Sequence, residues 1–228
     1  MFHTKFKRHQ EQKNLRFTHE AYYRNFDLSG SGKTPLILNY LERAYLTQWR
    51  AINDYDRVLA LRFDLRFPYW MPESELGNDN QKISLFLRHL NQEINAANTK
   101  YSTVLRYVWC REQGSSDKPH YHFMIYLNYN AFSRMGSVQP TRGGGYESNN
   151  MYHRISRAWA KALNYMSCDV LGLVEPGRSE FGGDFFEACL HRDDWMSQND
   201  AFVRVSYLCK AHTKPFGQGI HFFGTSRV

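Results

Sequence analysis

Between residues 58 and 67 the chain alternates: Leu59, Leu61, Phe63, Leu65 and Phe67 are apolar, while Ala60, Arg62, Asp64 and Arg66 between them are small or charged. Period-two alternation predicts a strand with one buried face and one polar, basic face, ended by Pro68. Residues 103–112 are β-branched and aromatic and predict a second strand. Residues 113–119 have turn composition, and 120–127 form a third strand, so the two strands make a hairpin. In the third strand Tyr121, Phe123, Ile125 and Leu127 share one face, and His120 and His122 share the other.

Other stretches carry a helical period. Ile37, Leu41, Ala44, Tyr45 and Ile52 follow Thr34-Pro35, which reads as a helix start, and predict a helix to about residue 53. Asn78-Asp79 reads as the cap of a second helix with Ile83, Phe86, Leu87, Leu90, Ile94 and Ala97 as its buried stripe. Asn150 reads as the cap of a third, with Ile155, Trp159, Ala162 and Met166 facing the core. Short strands are expected at 169–175 and 219–223, with a helix over 200–213 between them. The segment 133–150, rich in Gly, Ser and Asn, reads as a mobile loop, and 176–199 has no clear pattern. The order from residue 58 predicts an α+β fold, a single antiparallel sheet with helices on one face. Residues 1–33 read as a basic N-terminal arm and linker, and 34–228 as the domain.

Composition narrows the function. A hydrophobic content of 42% supplies a core, and a net charge of +7 favours a polyanionic partner. No apolar run approaches the ~18 residues of a membrane span, so a cytoplasmic protein without membrane contact is expected. The four cysteines form no CxxC or CxxH pair, so a structural zinc site is not expected, and Cys209 reads as a buried packing residue.

Two constellations carry chemistry. Neutral imidazoles bind divalent ions, and the His120–His122 pair would leave coordination positions open. Glu112, at the end of the partner strand, is one candidate third ligand, and Asp64 on the first strand is the other. Arg204, Tyr207, Lys210 and Lys214 form a stripe on the last helix. A tyrosine hydroxyl, with a pKa near ~10, attacks only when a polarised electrophile and nearby positive charge help it. Arg62, Arg66, Arg204 and Lys214 are candidate contacts to a nucleic-acid backbone, and Trp and Tyr side chains can stack on exposed bases.

A hairpin with Glu112 before His120-x-His122, then Tyr207-x-x-Lys210 near the C-terminus of a basic chain, resembles the HUH endonuclease superfamily. The segments 204–214 and 216–227 look more narrowly like the inovirus replication-protein / YagK–YfjJ prophage family. The resemblance implies an antiparallel, ferredoxin- or RRM-like palm. His120, His122 and Glu112 would hold Mg²⁺ or Mn²⁺, Tyr207 would be the nucleophile, and Lys210 would orient the phosphate. The implied activity is nicking of single-stranded or locally melted DNA through a 5′-phosphotyrosine, initiating rolling-circle replication of a phage or prophage in a bacterial host cell. With no second tyrosine at 203, 204, 210 or 211, a single-tyrosine mechanism follows. With no GxxxxGK[ST] loop, unwinding and synthesis would fall to a host helicase and polymerase. A non-catalytic DNA-binding protein of the same fold, or a transposase- or relaxase-type enzyme, is the alternative.

Overall fold

The computed structural model describes residues 8, 12–30, 32–76, 80–113, 118–178, 185–212, 214 and 220–227. In chain order the elements are β1 (Phe17–Thr18), β2 (Tyr22–Tyr23), β3 (Phe26–Asp27), β4 (Leu36–Ile37), α1 (Leu38–Asp54), β5 (Arg57–Leu65), α2 (Glu73–Leu76), α3 (Gln81–Asn95), β6 (Arg106–Glu112) and β7 (His120–Asn128). They continue with α4 (Met151–Leu163), a 3₁₀ turn (Ser167–Val170), β8 (Val174–Pro176), β9 (Glu187–His191), α5 (Trp195–Ser206), a second 3₁₀ turn (Tyr207–Cys209) and β10 (Phe223–Thr225).

The main sheet has the order β10-β6-β7-β5-β8, with β9 also pairing β5, and every pairing in it is antiparallel. The fold is α+β with helices packed on this sheet. They cover both faces, not one. On the first face Leu59, Leu61, Phe63 and Leu65 join Phe123, Ile125 and Leu127 beneath α3 and α4. Phe63 and Phe123 stack at 5.4 Å, with Phe86 of α3 edge-on at 5.1 Å from Phe123. On the second face Val58, Ala60, Val108, Cys110, Met124 and Tyr126 lie beneath α1 and α5.

The alternation in β5 concealed this second core because the opposite face changes character along its length. Toward one end it carries Val58, Ala60, Met124 and Tyr126; toward the other it carries Arg62, Asp64, His120 and His122. Helices α1 and α5 bury the apolar end, where apolar surface leaves water most favourably.

Several boundaries differ from the sequence reading. Thr34-Pro35 does not start a helix: Leu36 and Ile37 pair with Thr18 and Phe17, and α1 begins at Leu38 without a side-chain cap. Residues 12–30, read as part of an arm, pack on the domain: Leu15 and Leu28 are buried, and the Asp27 and Ser29 amides donate to Asn199 Oδ1 and Ser206 Oγ, each at 2.8 Å. The segment 133–150 is tied in too, with Met135 and Tyr146 buried and Arg157 donating to the Tyr146 and Ser148 carbonyls. The expected strand at 169–175 shortens to β8, and the last strand is β10 rather than 219–223. The Asn78-Asp79 cap lies outside the described residues.

Asn150 caps α4 as its sequence position suggests, its side chain accepting from the His153 amide at 2.8 Å. Asn164, in the left-handed region at φ 65, ends that helix before Met166, which is exposed rather than in the core. Asn150→Ala is expected to cost about 1 kcal/mol, measured as a shift of the urea midpoint at unchanged slope. An unshifted midpoint would mean that the cap contributes nothing.

Candidate functional site

Register assembles the site. Antiparallel pairing sets His122 between Asp64 of β5 and Cys110 of β6, and sets Glu112 opposite His120. Residues in direct register share a face, so Asp64, Glu112, His120 and His122 converge. Ligand atoms of Glu112, His120 and His122 lie within 4.8 Å of one another. Bonds of ~2.1 Å to a six-coordinate ion place ligands about 3–4 Å apart, so these three side chains are spaced as a set that could hold a cation.

Asp64 takes a different position. Its Oδ1 lies 2.6 Å from His122 Nδ1, while His122 Nε2 faces Glu112 Oε2 at 3.2 Å. Arg62 Nη2 also approaches Nδ1, at 2.8 Å. One ring nitrogen cannot donate to Asp64 and accept from Arg62 at once. The carboxylate is closer, so Nδ1–H donates to Asp64, and in the neutral ring Nε2 is then the lone-pair nitrogen on the Glu112 side. Geometrically, Glu112 groups with the two histidines, and Asp64 stands behind His122. His120 titrates below its ordinary range because of burial and the neighbouring His122, which keeps it in the neutral form that coordinates cations. Burial opposes the charge on Asp64, but Arg62 and His122 outweigh it and hold the carboxyl well below the usual range.

Tyr207 reaches this cluster from the end of α5, which packs on the same face of the sheet. It does not lie within a helix over 200–213, since α5 stops at Ser206 and Tyr207 opens the 3₁₀ turn. The Ala211 amide donates to the Pro35 carbonyl at 3.1 Å and Lys210 bridges Leu36, so the N-terminal part of the chain fixes the turn. The Tyr207 ring stands edge-on to His122 with centroids 5.7 Å apart, and Lys210 Nζ lies 3.5 Å above the tyrosine ring. Burial, then Glu112, raise the Tyr207 pKa, so the phenol keeps its proton at neutral pH until more positive charge arrives. Burial lowers the pKa of Lys210, against the opposing pull of Glu112.

The four expected backbone contacts divide. Arg62 is buried and committed: it pairs with Asp64 and donates to the Phe63 carbonyl at 2.7 Å. Lys214 is also buried, 3.7 Å from Glu112 Oε1 and donating to the Lys210 carbonyl at 2.6 Å. Each neutralises a buried carboxylate. Arg66 is exposed but pairs with Glu175 at 2.8 Å. Arg204 lines a cleft of about 390 Å³, together with Arg62, Arg178, Lys210, Tyr207, Asp64 and His122.

Arg178 and Gly177 come from the stretch whose pattern was unreadable. A Cβ on Gly177 would come within 2.5 Å of Arg62 Cγ, so glycine there makes room for the buried guanidinium. Ser29 also lines the cleft. The only signal for it was the apolar spacing of Leu15, Phe17, Phe26 and Leu28, which marks this segment as more than a tail.

The profile of the YagK/YfjJ C-terminal domain matches residues 18–226, a span that includes every residue of the site. The chain belongs to this family. Among the YagK/YfjJ relatives, Uncharacterized protein YagK of Escherichia coli (strain K12) is 26% identical over 211 residues, covering 84% of this chain and 94% of the relative. Uncharacterized protein YfjJ of the same strain is 27% identical over 198 residues, covering 78% and 88%. No solved structure matches with significance. Among the described residues, no helix of this YagK/YfjJ chain is long and apolar enough to cross a membrane.

Asp64→Asn keeps the shape behind His122 and removes the charge that orients its ring. It is expected to weaken Mn²⁺ binding by about 10–100-fold, read by calorimetric titration. An unchanged affinity would mean that Asp64 does not orient His122 for a cation.

Proposed function

We propose that this YagK/YfjJ chain is a metal-dependent nuclease that nicks and rejoins single-stranded DNA through Tyr207, as the likeness to HUH endonucleases implies. The observation that carries the reading is the edge-on contact of Tyr207 with His122, a member of the Glu112–His120–His122 donor set, beside a cleft lined by Arg178, Arg204 and Lys210.

The residues fit the group. Two neutral imidazoles and a carboxylate suit Mn²⁺, and also Mg²⁺ with water completing its shell. Bound there, a divalent cation supplies Lewis-acid polarisation of a non-bridging phosphate oxygen. Arg178 and Arg204 hold the strand by its phosphates. Tyr207 Oη attacks phosphorus, the P–O3′ bond breaks, and the phenolic proton ends on the departing 3′ oxygen. Lys210, against the ring face, favours the developing phenolate. One phosphodiester is exchanged for another, so the step is reversible, and joining needs no separate energy source. In a phage or prophage this exchange initiates rolling-circle replication at an origin.

The test incubates the protein with labelled single strands from its own locus, in Mn²⁺ or in EDTA, and resolves the products on a denaturing gel. A covalent protein–DNA band is expected in Mn²⁺ and absent in EDTA. Strands that bind without forming a band would instead support a DNA-binding protein of the same fold.

A further inference from the structure

The turn that follows β5 presents two aromatic rings to solvent. Phe67 and Pro68 are buried on one side and Met71 on the other, while Tyr69 between them is 92% exposed and Trp70 48% exposed. Such a display commonly belongs to a loose loop, but this backbone is clamped. Lys118 Nζ donates to the carbonyls of Pro68, Tyr69 and Met71, each at 2.6 Å. Three carbonyls on one ammonium account for its full donor capacity. Trp70 is braced further, edge-on against Tyr165 at 5.0 Å.

The clamp ties the turn to the candidate site. Lys118 lies two residues before His120, and Leu65, where β5 ends, is in register with Tyr121 between the two histidines. Four residues from Leu65 to Tyr69 span at most about 14 Å. Arg66, on the way, is exposed and pairs with Glu175 at 2.8 Å. Rigid aromatic faces within that reach of the histidine strand, in a chain of net charge +7, fit unpaired nucleobases, which stack on aromatic rings while cations hold the phosphates. Ordering the turn in advance removes the entropy that binding would otherwise cost.

We propose that the Tyr69–Trp70 turn, braced by Lys118, is a base-stacking subsite for the unpaired DNA strand that flanks the scissile phosphate. It rests on the reading of the site as one that acts on single-stranded DNA, and it commits to bases rather than backbone as what the turn recognises.

The experiment measures binding in EDTA, where no strand is cut, to a short oligo-dT and to an abasic strand of equal length. For Tyr69→Ala/Trp70→Ala, oligo-dT binding is expected to weaken about ten-fold or more, with abasic binding little changed. Tyr69→Phe/Trp70→Phe, which keeps the ring faces, is expected to restore most of the affinity. Lys118→Met is expected to weaken oligo-dT binding with the aromatics still present. Equal losses on both strands, or no loss on oligo-dT, overturn the proposal, as does a wild-type protein that does not prefer bases over abasic strand. Thermal melting shows whether each variant is folded. The covalent-band assay judges the nicking separately. A band with loop-independent binding sinks the subsite alone, and loop-dependent binding with no band sinks the nicking alone.

Discussion

Tyr207→Phe is expected to abolish the covalent protein–DNA band, a loss on the order of 10³-fold or more, while leaving the fold and the Mn²⁺ affinity intact. Phenylalanine keeps the ring that stands against His122 and beneath Lys210, and it removes only the oxygen. Tyr207 is 36% exposed, so the change in stability should stay within about 0.5 kcal/mol. Three readouts separate the causes. The denaturing gel reads chemistry, Mn²⁺ titration reads the donor cluster, and thermal melting reads the fold. A band that survives with Tyr207→Phe would move the nucleophile to another of the 15 tyrosines and leave the His122 contact without a catalytic role. A band lost together with Mn²⁺ affinity would mean that the hydroxyl helps to hold the metal.

Arg62→Met is expected to destabilise the protein by about 3–5 kcal/mol at neutral pH. The side chains of Arg62 and Asp64 are only 10% and 16% exposed, and removing the guanidinium takes a cation from a buried carboxylate and leaves it against His122. Its pH dependence has a definite sign. Asp64 is depressed in the folded protein, so its contribution is full above the unfolded carboxyl range near ~4 and is lost as pH falls through the folded value. The gap between wild type and variant should therefore be widest at neutral pH and should narrow in acid, as the variant's Asp64 takes up a proton. Urea unfolding at both pH values measures it. A variant as stable as wild type, but with weaker DNA binding and a shallower salt dependence, would return Arg62 to the role of a strand contact.

The contrast between Arg62 and Arg204 shows what a sequence leaves undecided. Both are arginines on elements whose periodicity is readable and both line the cleft, yet Arg62 is buried there against Asp64 and His122 while Arg204 is half-buried on α5. Periodicity assigns a face to a side chain and does not say what covers that face. The same gap explains the missed second core. The polar positions of β5 look solvent-facing until α1 and α5, distant in sequence, are placed over Val58 and Ala60. It also explains Lys214, whose stripe position suggested solvent and whose ammonium lies buried at Glu112.

The sequence by itself determined the strands β5, β6 and β7, the stripes of α1, α3 and α4, the Asn150 cap and the pairing of His120 with His122 on one face. Each is a local consequence of a period of two or 3.6 residues and of short-range hydrogen bonding. Only the tertiary structure decided that Glu112 faces the histidines while Asp64 stands behind them, that Tyr207 opens a 3₁₀ turn against His122, and that Lys118 locks the Tyr69–Trp70 turn. Those outcomes depend on strand register and on which distant segment packs where. They are fixed by burying two cores on opposite faces of one sheet, a condition that no short window of sequence contains.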